Sequence, residues 1–164
     1  MPVMKRTVLS LLLLCGLALL TACGNKAVFD ESHAITGAWN RFEPENFTVD
    51  IQNAEELYDL FLCVSVDTAR YRENSLPIHV NVISPVGERR MFPCSITLRD
   101  RTGAWKGEWR DGLLVVDKRV RECFSFNREG EHSITVGQGT HYYDINGIRS
   151  LRLRLSPTEI EYPE

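Results

Sequence analysis

The sequence predicts an all-β chain: a single-domain, two-sheet β-sandwich, jelly-roll-like, with about eight strands. Three observations carry that expectation. Apolar residues recur at every second position through most of the chain, Gly or Pro breaks the runs about every 8 to 15 residues, and no long stretch holds a helical apolar stripe. Eight short antiparallel strands in a chain of this length close most simply as two packed sheets.

The N-terminus stands apart from that pattern. Lys5 and Arg6 precede an uncharged apolar run from Val8 to Leu20, which ends in Leu20-Thr-Ala-Cys23. A short basic region, an apolar stretch below the ~20 residues of a membrane span, and small residues before a cysteine describe an export signal. Residues 1–22 are therefore expected to be removed. The new N-terminal Cys23 would carry the acyl chains, palmitate among them, because its thiol is the nucleophile that accepts the lipid. Two or three acyl chains hold a protein to a membrane without any span, at ~0.8 kcal/mol per buried methylene. Residues 23–36 are expected to be the lipidated N-terminus and tether, and 37–164 the sandwich domain. Gly24, not Asp, follows the cysteine, and no acidic cluster comes after it. The first feature points to the outer membrane, and the second to its periplasmic face.

The strand signals follow in order. Phe47 to Ile51 alternates, and so does Tyr58-Leu60-Leu62-Val64-Val66; Asn53 to Glu56 resembles a helix cap and Leu57, Leu60, Phe61 and Val64 also fit a helical stripe, but the β-branched end of the second run favours strand. Ile78, Val80 and Val82 alternate with His79 and Asn81, and Phe92, Cys94, Ile96 and Leu98 share one face. Leu113 to Val116, Phe124 with Phe126, and Ile134 to Gly137 give three short runs. Leu151, Leu153 and Leu155 alternate with Arg152 and Arg154, a half-buried strand with a basic outer face.

Cleavage would remove two of the 19 basic residues and none of the 22 acidic ones, leaving a charge of about −5. Such a chain has no electrostatic reason to bind nucleic acid. Cys63, Cys94 and Cys123 would remain in an oxidising compartment, either as one disulfide plus a free thiol or as three small buried side chains. The four histidines, His33, His79, His132 and His141, are dispersed, and no metal, cofactor or catalytic motif joins them. A Glu43 and Glu45 pair reads as solvated surface rather than as an acid and base. The chain is expected not to be an enzyme.

The most distinctive segment is Asp100-Arg-Thr-Gly-Ala-Trp105-Lys-Gly107-Glu-Trp109-Arg-Asp111-Gly112. Before it come Trp39-Asn-Arg-Phe42, the run Leu57 to Val66 leading to Tyr71-Arg72, Leu76-Pro-Ile78 and Ser84-Pro-Val-Gly87. After it come Gly130-Glu-His-Ser-Ile-Thr-Val136 and Asn146-Gly147-Ile148. In this order, behind a lipid-acceptor cysteine, the chain resembles the gliding motility-associated lipoprotein family GldH of the Bacteroidetes, from about Trp39 to Leu155. The stretch Ala69 to Leu76 is the most divergent from that pattern. The resemblance implies a sandwich fold and an accessory role beside envelope proteins of the gliding apparatus and the linked secretion machinery. It transfers no catalytic residue.

Gly103, Gly107 and Gly112 can take positive φ and so allow tight reversals around the two tryptophans. If the segment is extended, Trp105 and Trp109 lie on one face, about 13 Å apart. They could contact a protein partner or a glycan, or cap the core, with Trp105 the more structural of the two. Asp67-Thr68-Ala69 resembles a Bacteroidetes O-glycosylation site, with Thr68 the acceptor. Two functional readings follow: a non-enzymatic assembly lipoprotein of an envelope complex, or a carbohydrate-binding lipoprotein using a jelly-roll face.

Overall fold

The computed structural model describes residues 27–159. The expected signal peptide, Cys23 and the start of the tether lie outside the described residues. Eleven strands run β1 (Phe29–Ala34), β2 (Ala38–Asn40), β3 (Glu45–Ile51), β4 (Leu57–Val66), β5 (Ser75–Ile83) and β6 (Arg89–Thr97). They continue β7 (Glu108–Arg110), β8 (Leu113–Ser125), β9 (Gly130–Gln138), β10 (Asp144–Asn146) and β11 (Ile148–Pro157). One sheet has the order β1-β11-β4-β8-β7, a second β3-β9-β5-β6, and β10 pairs with β2 in a small third sheet. Every pairing is antiparallel. Among the eight longer strands the orders are first-eighth-third-sixth and second-seventh-fourth-fifth, which is the jelly-roll arrangement.

The eight long strands are not the eight that alternation marks. Leu113–Val116 and Phe124 belong to one 13-residue strand, β8. Its middle, Asp117 to Cys123, is mostly charged because it runs along the open side of the sheet, where charge protects an edge from further pairing. The tether boundary is corrected as well, since Phe29–Ala34 forms β1 and pairs with β11 from Phe29↔Leu155 to Ala34↔Ser150. An edge strand with one large apolar residue carries little periodic signal. Leu57 to Val66 is strand throughout, as expected.

The core lies between the two large sheets. Leu60, Leu62, Val64 and Val66 of β4 face inward beside Leu151, Leu153 and Leu155 of β11, all fully buried. Leu76, Ile78 and Val80 of β5 meet them from the opposite sheet with Phe47, Ile134 and Val136.

His33 clasps the two sheets along one side. Its Nδ1 lies 2.8 Å from Glu45 Oε2 at the start of β3, its Nε2 lies 2.9 Å from Glu31 Oε1 on β1, and its ring stacks on Phe47 at 4.2 Å. Hydrogen bonding to Glu31 raises the imidazole pKa above its ordinary value, against the cost of burial and with help from Glu45. A group protonated more readily when folded stabilises the fold fully below its unfolded pKa, near 6.5, and that contribution fades as pH rises through the folded value. Stability to urea should therefore decline from acidic to mildly alkaline pH, and His33→Gln should flatten this slope. An unchanged slope in the variant would assign it to other groups.

Candidate functional site at the far end of the sandwich

The antiparallel alternation sorts the loops into two groups. Phe29 sits opposite Leu155 at the end of β11, so the chain comes into the sandwich at what we term the near end. The far end begins at Gly147, before β11, roughly 25 Å away at strand rise. Its connections include β1 to β3, β4 to β5, β6 to β8, and β9 to β11. Four aromatic side chains are exposed among the described residues, Phe42, Trp109, Tyr142 and Tyr143, and all four lie on far-end segments.

The small β2-β10 sheet builds one station. Trp39 and Ile145 face inward and close this end of the core. Asn40 donates to Asp144 Oδ1 at 2.8 Å and accepts from the Phe42 N–H at 2.9 Å. The Trp39 indole N–H reaches the Glu43 carbonyl at 3.2 Å, and the Arg41 N–H donates to the Tyr143 carbonyl at 2.8 Å. From the interior, the buried Gln138 amide donates to the carbonyls of Tyr142 at 3.0 Å and Tyr143 at 3.2 Å. Its oxygen in turn accepts from the N–H and hydroxyl of Thr140.

On this fixed backbone Phe42 and Tyr143 are 71% and 67% exposed, with ring centroids 5.9 Å apart. The Arg41 guanidinium lies 5.6 Å and 5.9 Å from the two centroids. The Tyr142 ring lies 3.8 Å from that of His141, tilted by 40°, and Tyr142 lines two shallow pockets of about 260 and 210 Å3. Tyr71 lines both pockets. Its hydroxyl donates to the Ser75 carbonyl, and burial pushes its pKa up to about 12, so it stays neutral. Exposed aromatic rings and an arginine, ordered before a partner arrives, are the chemistry of a binding hot spot.

The tryptophans form a second station, and their geometry corrects the extended reading. Their centroids are 6.4 Å apart at 87°, not about 13 Å. The segment is not one strand: Trp105 bridges Arg99, while Trp109 pairs with Leu114 in β7. Gly107, at φ +146°, turns the chain between them, and a Cβ there would come within 2.5 Å of the Val115 carbonyl. Trp105 packs against the core under the Arg99 guanidinium, 3.8 Å from its ring, whereas Trp109 is 54% exposed.

Thr68 lies half-buried in the turn after β4. Its neighbour Asp67 accepts hydrogen bonds from Ala69 N–H and Arg149, and the Arg149 bond holds its carboxyl below the usual range. Gly147 packs against this turn, where a Cβ would come within 2.7 Å of the Tyr71 amide. His79 and His141 are exposed. Glu45 is committed to His33, and the Glu43 carbonyl to Trp39. Cys63, Cys94 and Cys123 are free thiols, so no disulfide joins any two of them.

Sequence reasoning missed Arg41, Phe42, Tyr142 and Tyr143 as a site. The usable signal was His141-Tyr142-Tyr143 between Gly139 and Gly147, three consecutive rings in a turn-rich segment too short to bury them all.

Trp105→Ala should cost about 1–3 kcal/mol in urea denaturation, from lost packing and the Arg99 contact. Trp109→Ala should cost well under ~1 kcal/mol. The reverse order would make Trp109 the structural ring.

The chain matches the family model described as GldH lipoprotein over residues 27–155. No curated protein matches it significantly. Two structures of tobacco streak virus coat protein align at 11% and 13% identity. Each covers 88% of this chain, with 94% and 96% of the coat-protein chains matched and TM-scores of 0.28 and 0.27. Likenesses at that level carry no argument.

Proposed function

This chain belongs to the GldH lipoprotein family, and on that premise we propose a non-enzymatic accessory lipoprotein that docks through its far end onto a protein of the gliding or linked secretion apparatus. The observation that carries the reading is the segregation of the four exposed aromatics among the described residues to the end opposite the incoming chain, with Phe42, Tyr142 and Tyr143 on backbone held by Gln138 and Asn40 and Trp109 in β7. Lipid at Cys23, on the periplasmic face of the outer membrane, would complete the geometry. With β1 beginning at Phe29, the chain between anchor and sandwich is five residues, 24–28, and reaches roughly 18 Å. The domain is then held near the bilayer while its far end is free to point away.

Carbohydrate binding is the second reading. It is favoured by the neighbouring rings of Phe42 and Tyr143 beside the polar Asn40 and Asp144, a pairing of apolar face and hydrogen-bonding rim that suits a sugar ring.

The discriminating experiment is a mild-detergent pull-down of tagged full-length protein, compared with the Phe42→Ala/Tyr143→Ala double variant. Stoichiometric envelope proteins recovered with the native chain and lost with the variant are the expected result. Recovery of the lipoprotein alone would count against assembly, and retention of the native chain on a glycan array would then favour the sugar reading. Separately, Cys23→Ala should move the protein from the membrane pellet to the soluble fraction without changing its melting temperature. Continued pelleting would refute the anchor or show it to be redundant.

A further inference from the structure

A cleft of about 750 Å3 opens on the outer face of the five-stranded sheet, apart from the station of Phe42 and Tyr143 and walled on one side by the backbone that joins Trp105 to Trp109. Five cationic side chains line it: Lys106 from the connection before β7, Arg110 of β7, Lys118 of β8, and Arg152 and Arg154 of β11. Only two carboxylates, Glu108 and Asp117, stand among them. The chain as a whole carries more acidic than basic residues, so this excess of positive charge is local.

The depth has a sequence cause. The lining between the basic side chains includes Cys63, Val115 and Gly107, and Gly107 is held to a bare Cα by the Val115 carbonyl beneath it. Register places Arg152 opposite Cys63 and Cys63 opposite Asp117, so side chains from three adjacent strands meet across the sheet. Burial raises the Cys63 thiol above its ordinary pKa, so it adds no negative charge. Of the existing ion pairs, Arg110 with Glu108 is solvent-exposed, and Arg154 with Asp117 is half-exposed. Pairs of that kind contribute little and exchange readily for a stronger anion. Arg152 is held by Asp30 of β1, Lys118 donates to the Ser95 carbonyl, and the Lys106 charge acts at longer range on the exposed Asp100 carboxylate outside the cleft. Several cations converging from separate elements suit an anion with more than one charged oxygen group, above all phosphate, which arginine forks grip in pairs.

We propose that this cleft binds a phosphate-bearing anion, with Lys106 and Arg110 supplying the exchangeable contacts over the backing charges of Arg152 and Arg154. The ligand is either a free polyphosphate or the phosphodiester head group of a lipid. Isothermal titration calorimetry of the full-length protein in nonionic micelles tests this with two probes. One is inorganic pyrophosphate; the other is glycerophosphoglycerol, the deacylated head group of phosphatidylglycerol. Saturable binding of at least one probe, weakening with added salt and falling about tenfold or more in Lys106→Gln/Arg110→Gln, is the expected result. Tighter pyrophosphate binding would identify a free polyphosphate ligand, and tighter glycerophosphoglycerol binding a lipid source. Both substituted side chains are outside the core, so an unchanged melting temperature in the variant certifies its fold. Failure of both probes to saturate, or equal affinity in the variant, would overturn the proposal.

Discussion

The structure depends on the register between β4 and β11. Leu62 sits opposite Leu153, Val64 opposite Leu151 and Leu60 opposite Leu155, and all six are fully buried. Burying each such side chain contributes on the order of 1.5–3 kcal/mol. A slip of one residue in either strand would turn Arg152 and Arg154, or Phe61 and Cys63, toward the core and bring the leucines to solvent. That penalty fixes the central pair. The neighbouring strands β1 and β8 then inherit their alignment through the hydrogen-bond ladder, while the facing sheet packs onto the surface that the pair presents.

Fixed register also decides what the two ends of the molecule are. Because every neighbouring pair is antiparallel, successive connections fall alternately at the near and far ends, and a residue's place in the sequence dictates where it is displayed. At the near end, Asp59 is buried at the start of β4 and accepts bonds from Thr158, Arg119 and the Cys123 amide. These bonds outweigh the cost of burial and hold its carboxyl below the usual range, tying three chain segments together. At the far end the corresponding buried polar group is Gln138, whose bonds go to the backbone of the segment carrying Tyr142 and Tyr143. The first arrangement closes the fold. The second orders a surface that has no packing reason of its own to be ordered, and exposed rings held in this way gain most from a partner that covers them.

The outer face of the five-stranded sheet shows how the same constraint shapes electrostatics. Arg152 and Arg154 are two residues apart in β11 and must point to the same side once the leucines between and beside them point inward. Their carboxylate partners, Asp30 and Asp117, come from different strands and neutralise part of the charge. Arg154 also lies over the Phe61 ring, at 4.2 Å. What remains is a cleft of mixed polarity in which positive charge predominates.

The sequence by itself determined the fold class, the inward faces of the strands marked by alternation, and the family, because alternation and turn residues report which atoms must leave water and where the chain reverses. It also marked Gly103, Gly107 and Gly112 as positions free to take positive φ, and all three adopt it. Alternation failed for β1 and for the middle of β8, since edge strands are held by backbone hydrogen bonds that leave no mark on side-chain pattern. Tertiary structure alone decided the spacing of Trp105 and Trp109, because the turn at Gly107 places them in different pairings. It alone brought Phe42 to Tyr143 and Arg110 toward Arg152. Such neighbours are far apart in sequence, and their meeting follows from strand order, a property of how the two sheets close around one core rather than of any local run of residues.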